Sequence, residues 1–258
     1  MRHWLRLLLC AFLWPAGALA ADVHVMISAG FFHVYSELGP AFEKESGHRL
    51  VTVRGPSLGD SPEAIPARLA RGEPADVAIL DGSMADELAG RGLVDANTKT
   101  VLALSQIGMV VRQGAPRPDI STVEALRKAL LEARSIAYSD SGSGTYISTR
   151  MLARMGIADQ VAGKSRKVRG PPSGEPVAAV VARGEAEIGF QQVSELIHVP
   201  GVTFVGAIPE DLQPGFTFAG VLARNAREPE AAKALLRFLS SERAAPVVTQ
   251  AGLAPPPR

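Results

Sequence analysis

The chain alternates short apolar runs with longer stretches in which apolar residues recur every three or four positions. In residues 22–27 polar and apolar positions alternate, a glycine follows, and apolar side chains then recur at helical spacing from Phe32 to Phe42. This order predicts a strand, a turn and an amphipathic helix. The order is repeated, so that further strands are expected at 48–53, 77–80, 107–112, 135–138, 188–191, 202–208 and 216–224, and further helices at 62–70, 83–90 (with Ser83 as N-cap), 122–133, 145–155, 177–183 and 229–240.

Repeated strand–helix units predict an α/β architecture in which parallel sheets carry helices on both faces. The units fall into two clusters, and the last helix is expected to rejoin the first cluster. We therefore expect two α/β lobes, the first made of 21–105 together with 223–258 and the second of 106–222. A chain that crosses twice between lobes leaves a cleft between them, which is a preferred place for a small ligand.

Residues 1–20 have the pattern of a secretory signal peptide. Two arginines lie near the N-terminus, an apolar run extends from Leu7 to Ala20, and residues 18–20 form a small-residue cleavage site. A membrane anchor is the alternative. It is disfavoured because the run is shorter than the ~20 residues that a bilayer span needs, and because Pro15 interrupts it. The sequence predicts export to the periplasm with cleavage after residue 20.

Charge and composition exclude several kinds of function. Without residues 1–20, the chain would carry 25 basic and 26 acidic residues, a balance that argues against a nucleic-acid-binding surface. The single cysteine, Cys10, lies in the predicted signal peptide, and the four histidines beyond it are scattered without metal-ligand spacing. We therefore expect a disulfide-free protein, a monomer, that uses no metal and no cofactor.

Three segments at the expected carboxyl ends of strands are rich in glycine and small hydroxyl residues: 28–31, 55–59 and 139–144. Ligands of open parallel sheets bind at such ends, and small residues let an anion approach backbone N–H groups at a helix start. Each segment alone is equally compatible with an ordinary capped turn. Together they predict an anion site. Its candidate ligand-binding residues are Ser28, Gly30, Phe31, Ser57, Ser141, Ser143, Tyr146 and Gln192.

Candidate catalytic groups are less defined. Segment 139–144 lacks the lysine of a phosphate-binding loop, and no G-x-S-x-G nucleophile elbow is present. His33, Ser143 and Arg54 are candidates for proton transfer or charge stabilisation, although a first-turn histidine and a loop arginine are commonly just surface residues. One of the two amides of Gln191 and Gln192 is expected to face the cleft, unless both cap local backbone.

The stretches 64–77 and 182–190 resemble the periplasmic molybdate-binding-protein superfamily of type II solute-binding proteins, and the similarity runs through nearly the whole chain beyond residue 20. The resemblance implies two lobes that close on a small oxyanion through neutral hydrogen bonds, and a membrane permease complex as partner. It implies ligand contacts near Gly30 or Phe31, Ser57, Ser143, Pro176 or Val177, and Gln192.

Four motifs, at 55–59, 138–146, 189–195 and 199–202, are similar to a branch of this superfamily that includes the aconitate isomerases. That branch implies a tricarboxylate ligand and cofactor-independent proton transfer between trans- and cis-aconitate. Three functions stay open at this point: a periplasmic binding protein that captures a small oxyanion or polycarboxylate for an importer, an aconitate isomerase, and an accessory protein that has lost its ligand.

Overall fold

Two five-stranded sheets organise residues 20–59 and 61–257, which are the residues described by the computed structural model. The predicted signal peptide lies outside these residues, apart from its last position. The strands are β1 (Asp22–Ile27), β2 (Arg49–Arg54), β3 (Val77–Asp81), β4 (Thr100–Ser105), β5 (Ile107–Arg112), β6 (Ile136–Ser139), β7 (Ser165–Val168), β8 (Ile188–Gln192), β9 (Val202–Ala207) and β10 (Phe216–Leu222).

Helices connect most of these strands, and two of them depart from their predicted starts by three residues. The helix expected from residue 62 begins at Ile65. The helix expected from residue 145 begins three residues earlier, at Gly142, and passes through a π-helical turn at Ile147–Met151. The α-helical segments are α1 (Ala29–Ser46), α2 (Ile65–Ala70), α3 (Gly82–Gly90), α4 (Val123–Glu132), α5 (Gly142–Tyr146), α6 (Leu152–Arg154), α7 (Ala158–Ala162), α8 (Val177–Ala182), α9 (Val193–Leu196), α10 (Pro229–Leu239) and α11 (Ala245–Gln250).

Both sheets are mixed, whereas the strand–helix repeats predicted parallel ones. The first sheet has the order β2-β1-β3-β10-β4, with β10 antiparallel to both neighbours, and the second has the order β7-β6-β8-β5-β9, with β5 antiparallel to both neighbours. These two strands are the ones at which the chain arrives from the other sheet. They do not follow a helical crossover, which is the connection that makes neighbouring strands parallel.

The position of β10 also bears on the predicted lobes. The division after residue 222 assigned this strand to the second lobe, but β10 pairs between β3 and β4 in the first sheet. The chain thus returns to the first sheet at Phe216. The sequence could not assign β10 to the correct lobe, because its apolar residues show only that the strand is buried, and such a strand fits either sheet.

Each sheet is covered by helices on both faces, as the two apolar faces of its strands require. On one face of β1, Val23, Val25 and Ile27 pack with α1 and α10, while Met26 points to the other face and joins α2 and α3. The second sheet is likewise packed between α4, α6 and α7 on one face and α8 on the other. Among the described residues, no helix combines the length and the apolar character needed to cross a membrane.

Candidate functional site

A cavity lies between the two sheets, where the carboxyl ends of strands from both lobes meet. It measures about 30 Å³, room for a few water molecules, so the lobes lie close together around it. Nine of the sixteen described residues that line it have polar side chains, and the others are glycine, alanine, proline and phenylalanine. The residues are Ser28, Ala29, Gly30, Pro56, Ser57, Asp81, Ser139, Asp140, Ser141, Gly142, Gly170, Pro171, Gln191, Gln192, Glu195 and Phe218.

Ser28 lies between the end of β1 and the start of α1 and is 4% exposed. Its backbone N–H donates to the carbonyl of Ile79. Its side chain does not cap α1, and the buried Oγ has no hydrogen-bond partner among the described residues. Buried hydroxyl groups are nearly always hydrogen-bonded, so the Ser28 hydroxyl is free to bond to a molecule in the cavity, whether water or ligand.

Three hydroxyls from the second lobe form a cluster at the same cavity. Ser139 Oγ lies 2.9 Å from Ser141 Oγ and 3.1 Å from Ser143 Oγ. Ser139 and Ser141 line the cavity, whereas Ser143 is fully buried behind them. The cluster depends on Gly144, because a Cβ at that position would lie 1.6 Å from the carbonyl oxygen of Ser139.

Ser57 and Asp81 form the third polar element of the cavity, from the first lobe. The backbone N–H of Asp81 donates to Ser57 Oγ at 3.0 Å. The Asp81 carboxylate caps α3 by accepting from the N–H groups of Ser83 and Met84, so the predicted N-cap at Ser83 is wrong by two residues. The sequence signal for Asp81 was an acidic residue directly after a buried strand and before a helix.

Both glutamines at the end of β8 line the cavity, although the sequence led us to expect one. Gln192 Oε1 accepts from Ser105 Oγ at 2.8 Å, which leaves its NH₂ group as the donor for a ligand. Gln191 Oε1 accepts from the N–H of Val177 at 3.1 Å, and its NH₂ group donates to Glu195 Oε2 at 2.7 Å. The Val177 N–H, near which the resemblance implied a ligand contact, is therefore already engaged.

Glu195 is the cavity residue with the most perturbed titration. Burial raises the pKa of Glu195 to about 7, and the negative charge of Asp140 adds to the rise. The hydrogen bond from Gln191 and the positive charge of Arg54 act in the opposite direction. The sequence contained this residue in the 189–195 motif but did not single it out, since nothing local shows that its carboxyl group lies in the cleft.

Helices α1 and α9 join the two lobes beside the cavity. Ser194 Oγ donates to the carbonyl of Gly30 at 2.8 Å, and the rings of His33 and His198 stack with centroids 3.8 Å apart. A Cβ at Gly30 would lie 2.1 Å from Phe218 Cζ. Glycine at this position therefore permits the close approach of the Phe218 ring within the first lobe, and His33 contributes to the lobe contact rather than to the cavity lining.

Arg54 lies at the end of β2, level with Ile27 of β1 in the parallel register. Its guanidinium carbon is 4.0 Å from the centre of the Phe32 ring, and its Nε is buried without a hydrogen-bond partner among the described residues. Burial lowers the pKa of Arg54, while the charge of Glu195 opposes this shift. Arg54 does not line the cavity in this arrangement of the lobes, although its charge acts on Glu195.

Like Ser143, the candidate residues Phe31 and Tyr146 do not line the cavity. Phe31 is fully buried in the first-lobe core, with its ring centre 6.2 Å from that of Phe218. Tyr146 donates its hydroxyl to the carbonyl of Leu212 at 2.6 Å and lines a neighbouring cavity of about 370 Å³. Both corrections have the same cause, since an aromatic ring next to a glycine-rich turn is drawn into the apolar core.

Within the described residues, no group of three or more histidine, cysteine, aspartate or glutamate side chains is arranged to hold a metal ion. The arrangement instead offers hydroxyl and amide donors and the carboxyl group of Glu195, whose pKa is raised to about 7 and which feels the charge of Arg54. Such a set can bind a small anion and exchange a proton with it.

Known proteins are similar to this chain over most of its length. An aconitate isomerase of a Pseudomonas species is 46% identical over 233 residues, covering 90% of this chain and 87% of its own. The molybdate-binding protein ModA of Azotobacter vinelandii is 27% identical over 93% of this chain and 92% of its own.

The fold has solved counterparts as well. The structure of the Azotobacter vinelandii periplasmic molybdate-binding protein superposes with a TM-score of 0.71 at 20% identity, covering 91% of this chain and all of that one. The family model described as bacterial extracellular solute-binding protein matches residues 23–254. With the two-lobed fold and the interlobe cavity, these findings establish that the chain belongs to the bacterial extracellular solute-binding protein family.

Proposed function

We propose that this protein captures a small anion with carboxylate groups in the cavity between its lobes. The observation that carries the proposal is the buried, unpartnered hydroxyl of Ser28, which faces the serine cluster of the opposite lobe across one cavity. The names of the relatives support it: the Azotobacter vinelandii relative binds molybdate, an oxyanion, and the Pseudomonas relative acts on aconitate, a tricarboxylate. Export to the periplasm and delivery to a membrane permease complex belong to the same proposal.

The charges at the cavity favour a carboxylate ligand over a tetrahedral oxyanion. Asp140 and Glu195 both line it, and a fully ionised pair would repel a dianion held only by neutral donors. A polycarboxylate can instead share a proton with Glu195 and place another carboxylate near Arg54, whose planar guanidinium suits that group. Because the cavity measures only about 30 Å³ in this arrangement, binding of such a ligand requires the lobes to lie further apart than they do here.

The test is a titration of the purified chain with trans-aconitate, cis-aconitate, citrate, tricarballylate, molybdate and tungstate by calorimetry. We expect a polycarboxylate to bind, and Ser28→Ala to weaken it about tenfold or more, which corresponds to a lost hydrogen bond to a charged group. Ser36→Ala, an exposed serine of the same helix, is the matched control and retains affinity. Absence of binding across the panel, or equal behaviour of the two variants, contradicts the proposal.

A second candidate function, isomerisation of aconitate by proton transfer, is favoured by one specific observation. The cavity contains a carboxyl group, Glu195, whose pKa is raised to about 7, which is the range that suits a general acid–base group at neutral pH. The 46% identity to an aconitate isomerase supports the same candidate.

Its test is the incubation of purified protein with trans-aconitate and no added cofactor, followed by proton NMR. Appearance of cis-aconitate supports the isomerase. Binding without turnover leaves the capture of an anion as the function.

A further inference from the structure

We propose that Glu195 is the residue that takes a proton from the bound ligand and returns it, and that Gln191 is the positioning residue for its carboxyl group. This inference rests on the second candidate function and deepens it, because it assigns the proton transfer to a particular side chain.

The orientation of Gln191 follows from its backbone partner. The N–H of Val177 donates to Gln191 Oε1 at 3.1 Å, which fixes that atom as the carbonyl oxygen. The other end of the amide must then be the NH₂ group, and it donates to Glu195 Oε2 at 2.7 Å. Gln191 is 1% exposed, so packing holds it in this rotamer. The chain Val177–Gln191–Glu195 therefore fixes one oxygen of the carboxyl group.

The second oxygen of Glu195 is the one that remains for chemistry. The bond from Gln191 engages Oε2, and the described residues give Oε1 no hydrogen-bond donor. Glu195 lines the cavity together with Ser28 and Gln192, which contribute donors from the opposite lobe and from β8. A ligand in this cavity thus meets an unoccupied carboxyl oxygen on one side and hydrogen-bond donors on the other.

Other ionisable groups of the cavity are already committed to structure. The carboxylate of Asp81 accepts three hydrogen bonds from the start of α3, all on one oxygen, and therefore acts as a helix cap. Asp140 Oδ1 accepts from the N–H of Gly170 at 3.1 Å. His33 is stacked on His198 outside the cavity lining. Asp140 and Glu195 therefore each have one partner, and Glu195 is the one whose partner is a side chain that is itself fixed by a backbone N–H.

The charged groups around Glu195 keep both of its protonation states accessible. Burial and the charge of Asp140, after β6, favour the protonated form, while the charge of Arg54, after β2, and the Gln191 hydrogen bond favour the ionised form. The outcome is a pKa near 7, where a carboxyl group can act as base and then as acid in one turnover.

The step balances without any co-reactant. Glu195, as carboxylate, removes a proton from the methylene carbon of aconitate, and the electron pair of the broken C–H bond delocalises over the three-carbon unit and its carboxylate groups. The protonated Glu195 then forms a new C–H bond at the former vinyl carbon, and the double bond is left between the other two carbons. Hydroxyl and amide donors such as Ser28 and Gln192 stabilise the negative charge that develops on the ligand's oxygens.

The experiment compares Glu195→Gln, Glu195→Asp and Gln191→Met with the unchanged chain and with the exposed-surface control Glu37→Gln, using trans-aconitate turnover and calorimetric binding. We expect Glu195→Gln to lower kcat by about 10²–10⁴-fold with affinity retained within about tenfold, and Glu195→Asp to keep part of the activity. Glu37→Gln retains full activity.

Gln191→Met tests the positioning role through the pH dependence of kcat, which would not change if Gln191 had only a structural role. It removes the hydrogen bond that lowers the pKa of Glu195, so the acidic limb of the kcat–pH profile shifts to higher pH while KM changes little. An unmoved profile overturns the role of Gln191.

The outcomes separate this inference from the function on which it rests. An unchanged chain that binds aconitate without turning it over removes the isomerase function and the inference together. Turnover that persists in Glu195→Gln at the rate of the control overturns the inference alone and leaves the isomerase function standing. Binding measured on every variant shows that a loss of turnover is not a loss of folding.

Discussion

The buried carboxyl group of Glu195 makes a prediction about stability that does not require a ligand. Its pKa rises from the usual 4.5 to about 7 in the folded protein, chiefly because of burial. A raised pKa means that the folded protein holds this proton more tightly than the unfolded chain does. The associated stabilisation is fully present below about pH 4.5 and is lost as the pH rises through 7.

The size of this effect follows from the shift. One pKa unit corresponds to about 1.4 kcal/mol, so a rise from 4.5 to about 7 amounts to about 3 kcal/mol at most. The carboxyl group borders a cavity and has partial access to solvent, which lowers the expected value to between about 1 and 3 kcal/mol. Glu195→Gln removes the titration while preserving the shape of the side chain.

The assay is urea unfolding of the unchanged chain and of Glu195→Gln at pH 5 and pH 8.5, without ligand. We expect the difference in unfolding free energy to move by about 1–3 kcal/mol in favour of the variant between the two pH values. Glu37→Gln, at an exposed position of α1, should show no such pH-dependent difference. A Glu195→Gln difference that is the same at both pH values would refute the reasoning, because the carboxyl group would then titrate alike in both states.

Three further substitutions test how the cleft is built. Gly144→Ala would place a Cβ 1.6 Å from the Ser139 carbonyl oxygen, so we expect a loss of at least about 3 kcal/mol in urea unfolding, against less than about 1 kcal/mol for Gly163→Ala, which meets no neighbouring atom. Ser194→Ala removes the 2.8 Å hydrogen bond between the lobes and should weaken calorimetric ligand binding about fivefold, while an unchanged affinity would show that this bond does not favour closure. Burial and the charge of the neighbouring His33 lower the pKa of His198, so the folded protein favours the neutral imidazole. The resulting contribution to the stability of the folded protein is present above pH 6.5 and is lost as the pH falls below it. His198→Gln should therefore show a smaller fall in melting temperature between pH 7 and pH 5 than the unchanged chain does, and an equal fall would contradict this.

The mixed sheets show that the local pattern of apolar residues predicts a strand but not its direction in the sheet. β5 is a continuous apolar strand, Ile107–Arg112, as the sequence predicted, but its direction relative to β8 and β9 is set by the chain's arrival from the first sheet. Strands β4 and β7 were not predicted, and neither were helices α7 and α11. Their short lengths and partly polar sequences, as in Ser165–Val168, carry too little periodicity to stand out.

For the candidate site, the residues that the sequence placed in glycine and hydroxyl segments divide into two groups. Ser28, Gly30, Ser57 and Ser141 line the cavity because each lies within three residues of the end of a strand whose carboxyl end faces the cleft. Their binding roles stay predictions until ligands are titrated. Phe31 lies directly beside one of them and is nevertheless buried in the core.

The sequence by itself determined the strand–helix units, the hydroxyl-rich turns at the strand ends and the near-neutral charge, because all three depend on local periodicity, local steric demands and composition. The tertiary structure alone decided the partners. It placed β10 in the first sheet, joined α1 to α9 through Ser194, and turned Glu195 into the cavity beside Gln191. A carboxyl group three residues after a strand end resembles any solvated glutamate until the opposite lobe closes over it, since its pKa depends on burial and on charges that lie far away in the sequence.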